Sequence, residues 1–271
     1  MKLLFLGDII GRAGRDAVID RLPRLRADLG LDFVVVNGEN AAGGFGITAK
    51  ICDALFAAGA DVITTSNHVW DQRDILRHID NELRLLRPAN YPPGTPGRGS
   101  GIFEAGGGRK VFVINLIGRI FMDALDDPFA AARAAMAKIS LGGSVQAAVV
   151  DMHGEATSEK TAMGVFLDGQ VSVVVGSHSH VPTADVRILP GGTAYQTDTG
   201  MCGDYNSIIG MEPREPLRRF TRKIPGGRFS PALGEATVCG LYVETDETTG
   251  LARRTAPLRL GGQLAQTVPE T

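Results

Sequence analysis

The sequence predicts an α/β protein: a largely parallel sheet with helices over both faces, then a last third of antiparallel strands or a second sheet packed on the first. Three observations predict it. Short apolar runs rich in Val, Ile and Phe recur through the first two thirds, as expected of strands buried on both faces. Amphipathic stretches with helix-start signals separate those runs. The chain has 271 residues, 44% apolar and 21% charged, and a chain of that size hides about 75% of its unfolded surface.

The elements follow in order. Leu3–Leu6 is the first strand. Val18, Leu22, Leu25 and Leu29 share one face of a first helix, in which Pro23 should produce a kink or mark a start. Phe33–Val36 is the second strand, and Thr48 caps a helix carrying Ile51 and Leu55. Val62–Thr65 is the third strand. The segment Arg87–Ser100, with four prolines and three glycines, reads as a loop. Val111–Asn115 precedes an Ala-rich helix opened by Asp127-Pro128, and Ala147–Val150 precedes a helix opened by Ser158-Glu159. Val171–Val175 ends this series. Beyond Val186 come short runs between Gly and Pro turns, including Val238–Val243. The reading is one domain over residues 1–261 and a loose C-terminal tail, 262–271.

Composition narrows the function classes. The formal charge of −2 offers no bulk attraction to nucleic acid or anionic membrane. No apolar run reaches the roughly 18 to 20 residues of a membrane helix. The N-terminal apolar stretch stops at Asp8 after four residues, so a signal peptide is rejected and the cytoplasm is the expected location. Cys52, Cys202 and Cys239 form no C-x-x-C pair, which argues against a disulfide framework or thiolate metal site.

The informative feature is what ends each strand. The runs stop at Gly7-Asp8, Asn37-Gly38-Glu39-Asn40, Ser66-Asn67-His68, Asp151-Met152-His153 and Gly176-Ser177-His178-Ser179-His180. In an open α/β sheet these ends line one edge, where ligands bind. Asp8, Glu39, Asn40, Asn67, His68, His153, His178 and His180 should therefore converge. They include four of the chain's five histidines. A set of carboxylates, carboxamides and imidazoles without thiolate suits Mn, Fe, Zn or Co better than Ca or Mg. So many ligands suit two ions about 3.5–4 Å apart sharing a carboxylate. His78, in the Asp74–Asp80 helix pattern, reads as an ordinary histidine.

Together these motifs resemble the calcineurin-like metallophosphoesterases, and more narrowly the YmdB-like bacterial 2′,3′-cyclic-nucleotide phosphodiesterases. The likeness extends to Asn115-Leu116-Ile117-Gly118-Arg119, Gly154–Lys160 and Thr197-Asp198-Thr199-Gly200-Met201. It implies a four-layer α/β/β/α sandwich of the metallophosphoesterase type. Asp8, Asn40 and His180 would hold one ion, Asn67, His153 and His178 the other, and Glu39 would bridge them. His68 is implied as the catalytic histidine. Two divalent ions are implied, Fe or Mn ahead of Zn or Mg. The implied reaction is hydrolysis of small phosphodiesters such as 2′,3′-cyclic AMP by a hydroxide bridging the ions. Many of the broader group begin Asp-x-His, whereas this chain has Ile10 at that place, and Asn40 would supply the missing ligand.

His68 would act as general acid or, alternatively, only orient its neighbours. Phe45, in the glycine-rich loop Ala41–Gly46, would stack on a base or merely belong to a turn. Asp71, Glu155 and Arg119 read as site partners or, more simply, as solvated surface. Rival functions are a phosphomonoesterase or protein phosphatase, and a slow-turnover metal-dependent regulatory protein that binds a nucleotide or RNA. Gly7, Gly11 and Gly14 do not match a dinucleotide fingerprint, and no G-K-[ST] occurs. The expected partners are a small phosphodiester or cyclic nucleotide and short RNA ends, with no membrane. The second sheet or the proline loop would offer a surface for a homo-oligomer.

Overall fold

The computed structural model describes residues 1–270. The elements of the first half are β1 (Lys2–Leu6), α1 (Gly11–Leu29), β2 (Phe33–Asn37), α2 (Ala49–Ala57), β3 (Val62–Thr64), α3 (Ile75–His78), β4 (Leu85–Leu86), β5 (Ser100–Ala105), β6 (Arg109–Ile117) and α4 (Pro128–Met136). Those of the second half are β7 (Ala147–His153), α5 (Thr157–Phe166), β8 (Val173–Ser177), β9 (Arg187–Ile188), β10 (Ala194–Gln196), β11 (Gly203–Asp204), α6 (Arg214–Arg222), β12 (Ala236–Thr245) and β13 (Ala252–Leu260).

The strands form two sheets. One runs β11-β12-β1-β2-β3-β4, with β13 also paired to β12; the other runs β5-β6-β7-β8-β10-β9. Within the first, β1 to β4 are parallel and β12 lies antiparallel to β1. Within the second, β6, β7, β8 and β10 are parallel, with β5 and β9 antiparallel at the edges. The expected single parallel sheet is thus divided between two. The last third does supply antiparallel strands, but β12 and β13 extend the first sheet instead of building a second.

Side-chain alternation places the core. Leu4, Leu6, Val34 and Val36 pack with Val18 and Leu22 of α1 and Leu55 of α2. Their neighbours Leu3, Phe5, Phe33 and Val35 meet Val111, Val113, Val149 and Val173 of the other sheet. Phe112, Ile114, Ala148 and Val150 pack with Ala132 of α4 and Met163 of α5.

Local signals explain most helix ends. The Thr48 side chain accepts from the Ile51 N–H at 3.4 Å, and Asp127 caps α4 by accepting from Phe129 N at 2.8 Å. Pro23 lies inside α1, which neither starts nor stops there. The roughly 3 kcal/mol that an interior proline costs is outweighed by Val18, Leu22, Leu25 and Leu29, all buried, each contributing about 1.5–3 kcal/mol. The expected loose tail folds back: Arg259 and Thr267 exchange backbone hydrogen bonds at 2.7 and 2.9 Å. Thr271 lies outside the described residues.

Candidate metal centre

The C-terminal ends of strands from both sheets meet at one edge, and a buried polar network fastens them together. The Asp151 carboxylate, on β7, accepts from Thr64 Oγ1 at 2.6 Å, Asn37 Nδ2 at 3.1 Å and Ser177 Oγ at 2.7 Å. Asn115 Oδ1 accepts from the Ser66 N–H at 3.2 Å. Chains approach closely here: a Cβ on Gly7 would overlap the Gly200 carbonyl oxygen, and one on Gly176 the Thr197 carbonyl oxygen. Only glycine fits either place.

Seven of the eight expected residues converge above this network. Glu39, His153 and His178 bring ligand atoms within 4.8 Å of one another, and so do Asp8, Glu39 and His180. Glu39 belongs to both groups. Asn67 Oδ1 lies 2.6 Å from His153 Nε2, which is also 3.0 Å from His178 Nδ1 and 3.3 Å from Glu39 Oε2. On the other side His180 Nε2 is 3.8 Å from Asp8 Oδ2, and Asn40 Nδ2 donates to Glu39 Oε1 at 2.8 Å.

The electrostatics are those of a cluster that could hold cations. Asp8 Oδ1, Glu39 Oε2 and Asn40 Oδ1 are buried without a hydrogen-bond donor, a costly condition unless a cation completes it. Burial and the neighbouring Glu39 charge hold Asp8 well above the usual carboxylate range. Burial alone would lower His180, but the Glu39 and Asp8 carboxylates raise it to about 9. His153 and His178 shift the other way, mainly by burial, and a neutral imidazole is the form that binds a metal.

Outer contacts fix the rings. His153 Nδ1 is 2.9 Å from Ser177 Oγ, itself bonded to Asp151. His180 Nδ1 donates to the Ile209 carbonyl at 2.8 Å, and His178 Nε2 is 3.3 Å from Glu155 Oε2. Lys160 Nζ donates to Asp198 Oδ2 at 2.9 Å, and the same carboxylate accepts from Ser179 N at 2.9 Å. Ser66, His178, His180 and Ile209 all hold positive φ, from 46° to 99°. Such strain outside glycine persists where surrounding contacts impose it, typically at functional sites.

His68 stands apart from the two ligand groups, in the wall of the same cleft. Asp71 accepts from its Nδ1 at 2.7 Å, and its ring meets Phe45 edge-on at 5.3 Å. Asp71 and Glu155 therefore touch site histidines. Arg119 does not line the cleft; it faces Asp127 at 3.6 Å. His78 lies on α3, also outside the cleft lining. The cleft encloses about 450 Å³. Part of its lining is an apolar wall, with Ile208, Ile209, Met211, Phe220 and Phe229. Reading the sequence missed this wall and α6, and it missed Lys160, Asp198 and Asn37 as supports.

The comparison that decides kinship covers nearly the whole chain. Residues 4–258 match the family described as YmdB-like protein. The chain belongs to the YmdB-like family. It is 46% identical over 249 residues to a 2′,3′-cyclic-nucleotide 2′-phosphodiesterase of Bacillus subtilis (strain 168), covering 92% of this chain and 93% of that one. Among solved structures, a protein of Thermus thermophilus described as hypothetical superposes with a TM-score of 0.90 at 40% identity, over 97% of this chain and 100% of that one. A Mycoplasma pneumoniae protein described as a novel phosphatase gives 0.89 at 34% identity, over 96% and 93%. The mixed α/β fold with two sheets is thus that of a phosphatase structure. No helix among the described residues is long and apolar enough to cross a membrane.

Proposed function

We propose that this YmdB-like chain is a dinuclear-metal phosphodiesterase that hydrolyses small phosphodiesters such as 2′,3′-cyclic AMP. It is an enzyme of the phosphoester-hydrolase class. The observation that carries the dinuclear reading is Glu39, shared by two ligand groups and carrying, like Asp8, one buried oxygen without a donor. Asp8, Asn40 and His180 would hold one divalent ion and Asn67, His153 and His178 the other. Iron or manganese suits this N/O set. Bound there, two such ions would neutralise phosphoryl oxygens and make a water nucleophilic near neutral pH.

The chain's own residues do the rest. Asp71 holds the His68 ring through Nδ1, leaving Nε2 to give a proton to the departing ester oxygen. The carboxylate of Glu155 steadies His178. The same reading takes residues 1–261 as one domain in four α/β/β/α layers, supported by the three apolar clusters that alternate with the two sheets.

The test compares a phosphodiester with a phosphomonoester, using protein loaded anaerobically with Fe or Mn, beside Asp8→Ala and His178→Ala. Selective diester cleavage lost in both variants is the expected result. Preferential monoester cleavage would replace the proposal with a phosphatase. Two bound metals without turnover of either would replace it with a binding protein.

A further inference from the structure

The cleft has two chemically distinct walls, and only one is explained by a phosphate. A phosphodiester held at the ligand cluster leaves its organic substituent lying in the cleft. The apolar wall presents Ile209, Phe220, Phe229 and Met211. Phe220 is 72% exposed and Ile209 52% exposed, and both line the cleft that holds the ligand cluster. Exposed apolar surface of that kind beside a site marks a place for an apolar ligand face. The wall is also held in position. The Ile209 carbonyl accepts from His180 Nδ1 at 2.8 Å, so a ligand histidine and the wall are one hydrogen bond apart. The Arg219 guanidinium lies 4.0 Å from the Phe229 ring centroid and is itself fixed by Glu215 at 2.8 Å and the Gly227 carbonyl at 2.7 Å. The Phe229 ring is therefore backed by a planar cation that is already paired.

We propose that this wall, centred on Phe229 and Phe220, is the nucleobase-binding face of the site, and that it restricts the substrates to nucleoside phosphodiesters. The inference rests on the phosphodiesterase reading above and names what that reading leaves open. A cleft of about 450 Å³ is within the range of small-ligand sites. Aromatic rings with aliphatic neighbours bind a base by stacking, which every base satisfies and purines satisfy best. A glycerol or sugar diester would leave the same surface wet.

The experiment uses metal-loaded protein and two substrates: 2′,3′-cyclic AMP and the base-free 1-O-methylribose 2′,3′-cyclic phosphate. Phe229→Ala should raise KM for the nucleotide by about 5- to 140-fold, the loss of one base stack, while kcat/KM for the base-free ester stays as in the wild type. Phe220→Ala, at an exposed position where folding tolerates it, should act in the same direction with a smaller effect. Equal wild-type efficiency on both substrates, or an equal fall on both in the variants, would overturn the proposal. A calorimetric titration with adenosine 3′-monophosphate and with inorganic phosphate separates this idea from the parent one. If no ester is turned over, the phosphodiesterase reading fails by itself. Weaker nucleotide binding with unchanged phosphate binding in Phe229→Ala would still uphold the base face. Unchanged binding of both would overturn it.

Discussion

Replacing Lys160 by Met should destabilise the protein by about 3–5 kcal/mol, the cost of leaving one partner of a buried ion pair alone. Lys160 is 1% exposed and Asp198 0% exposed, and Nζ lies 2.9 Å from the carboxylate. Nζ also donates to the Ser177 carbonyl at 3.1 Å. Methionine fills the space of the alkyl stem, so packing loss is small. The Asp198 charge then keeps only the Ser179 and Gly200 N–H groups, at 2.9 and 2.8 Å. In urea, with a slope near ~3 kcal/mol/M for a chain of this size, the midpoint should fall by about 1–1.7 M. The double variant Lys160→Met/Asp198→Asn should recover part of that, because the stranded charge is gone. Ser179 separates two expected ligands, so the affinity for the metal should also drop, by about 10- to 100-fold. A midpoint shift below about 0.3 M, or a double variant as unstable as the two singles added together, would refute the argument that the pair holds this loop.

Other outcomes are expected from the same geometry. His68→Ala should cut diester turnover by about 10²- to 10⁴-fold with metal content unchanged by elemental analysis, and Asp71→Asn should cut it less. Chelating the metals should lower the thermal midpoint, since ligand at 1,000 times its dissociation constant adds about 4 kcal/mol; identical midpoints by calorimetry would count against a folded-state metal site. Gly7→Ala should cost about 1–3 kcal/mol in denaturant, because its Cβ has to displace the Gly200 backbone. Burial pushes Asp32 upward, but the Lys2 N–H and the Arg109 guanidinium outweigh it and the net pKa is lowered. That stability is present above the unfolded carboxylate range and is lost as pH falls through the folded value, so Arg109→Ala should flatten the acid side of a stability-versus-pH curve.

The convergence of the candidate ligand residues was legible because a parallel sheet forces it. Asp8, Glu39, His153 and His178 each follow a buried run, and all the runs of a parallel sheet end at the same edge. That inference holds whether the strands form one sheet or two, so the division of the expected single sheet leaves it intact. A strand buried on both faces looks alike in either arrangement: Phe33–Asn37 and Ala147–His153 are both apolar runs ending in polar residues. Their assignment depends on which strand each one pairs with, Val34 with Leu4 in one sheet and Val149 with Val113 in the other, for which no local signal exists.

The supports and the apolar wall escaped for opposite reasons. Lys160 and Asp198 have the composition of surface residues, and their burial follows from α5 packing over β8, where Nζ reaches the turn that carries Ser179. Helix α6 reads Arg-Glu-Pro-Leu-Arg-Arg-Phe-Thr-Arg, and its apolar residues Leu217 and Phe220 are exposed. A helix that turns such side chains away from the core lacks the buried stripe by which helices are recognised. Phe220 breaks the burial rule beside a cluster in which Asp8 Oδ1, Glu39 Oε2 and Asn40 Oδ1 break the hydrogen-bonding rule. Departures of this kind collect where a sequence serves binding at the expense of folding, and two of different chemistry lining one cleft are what a ligand with a charged end and a flat apolar end requires.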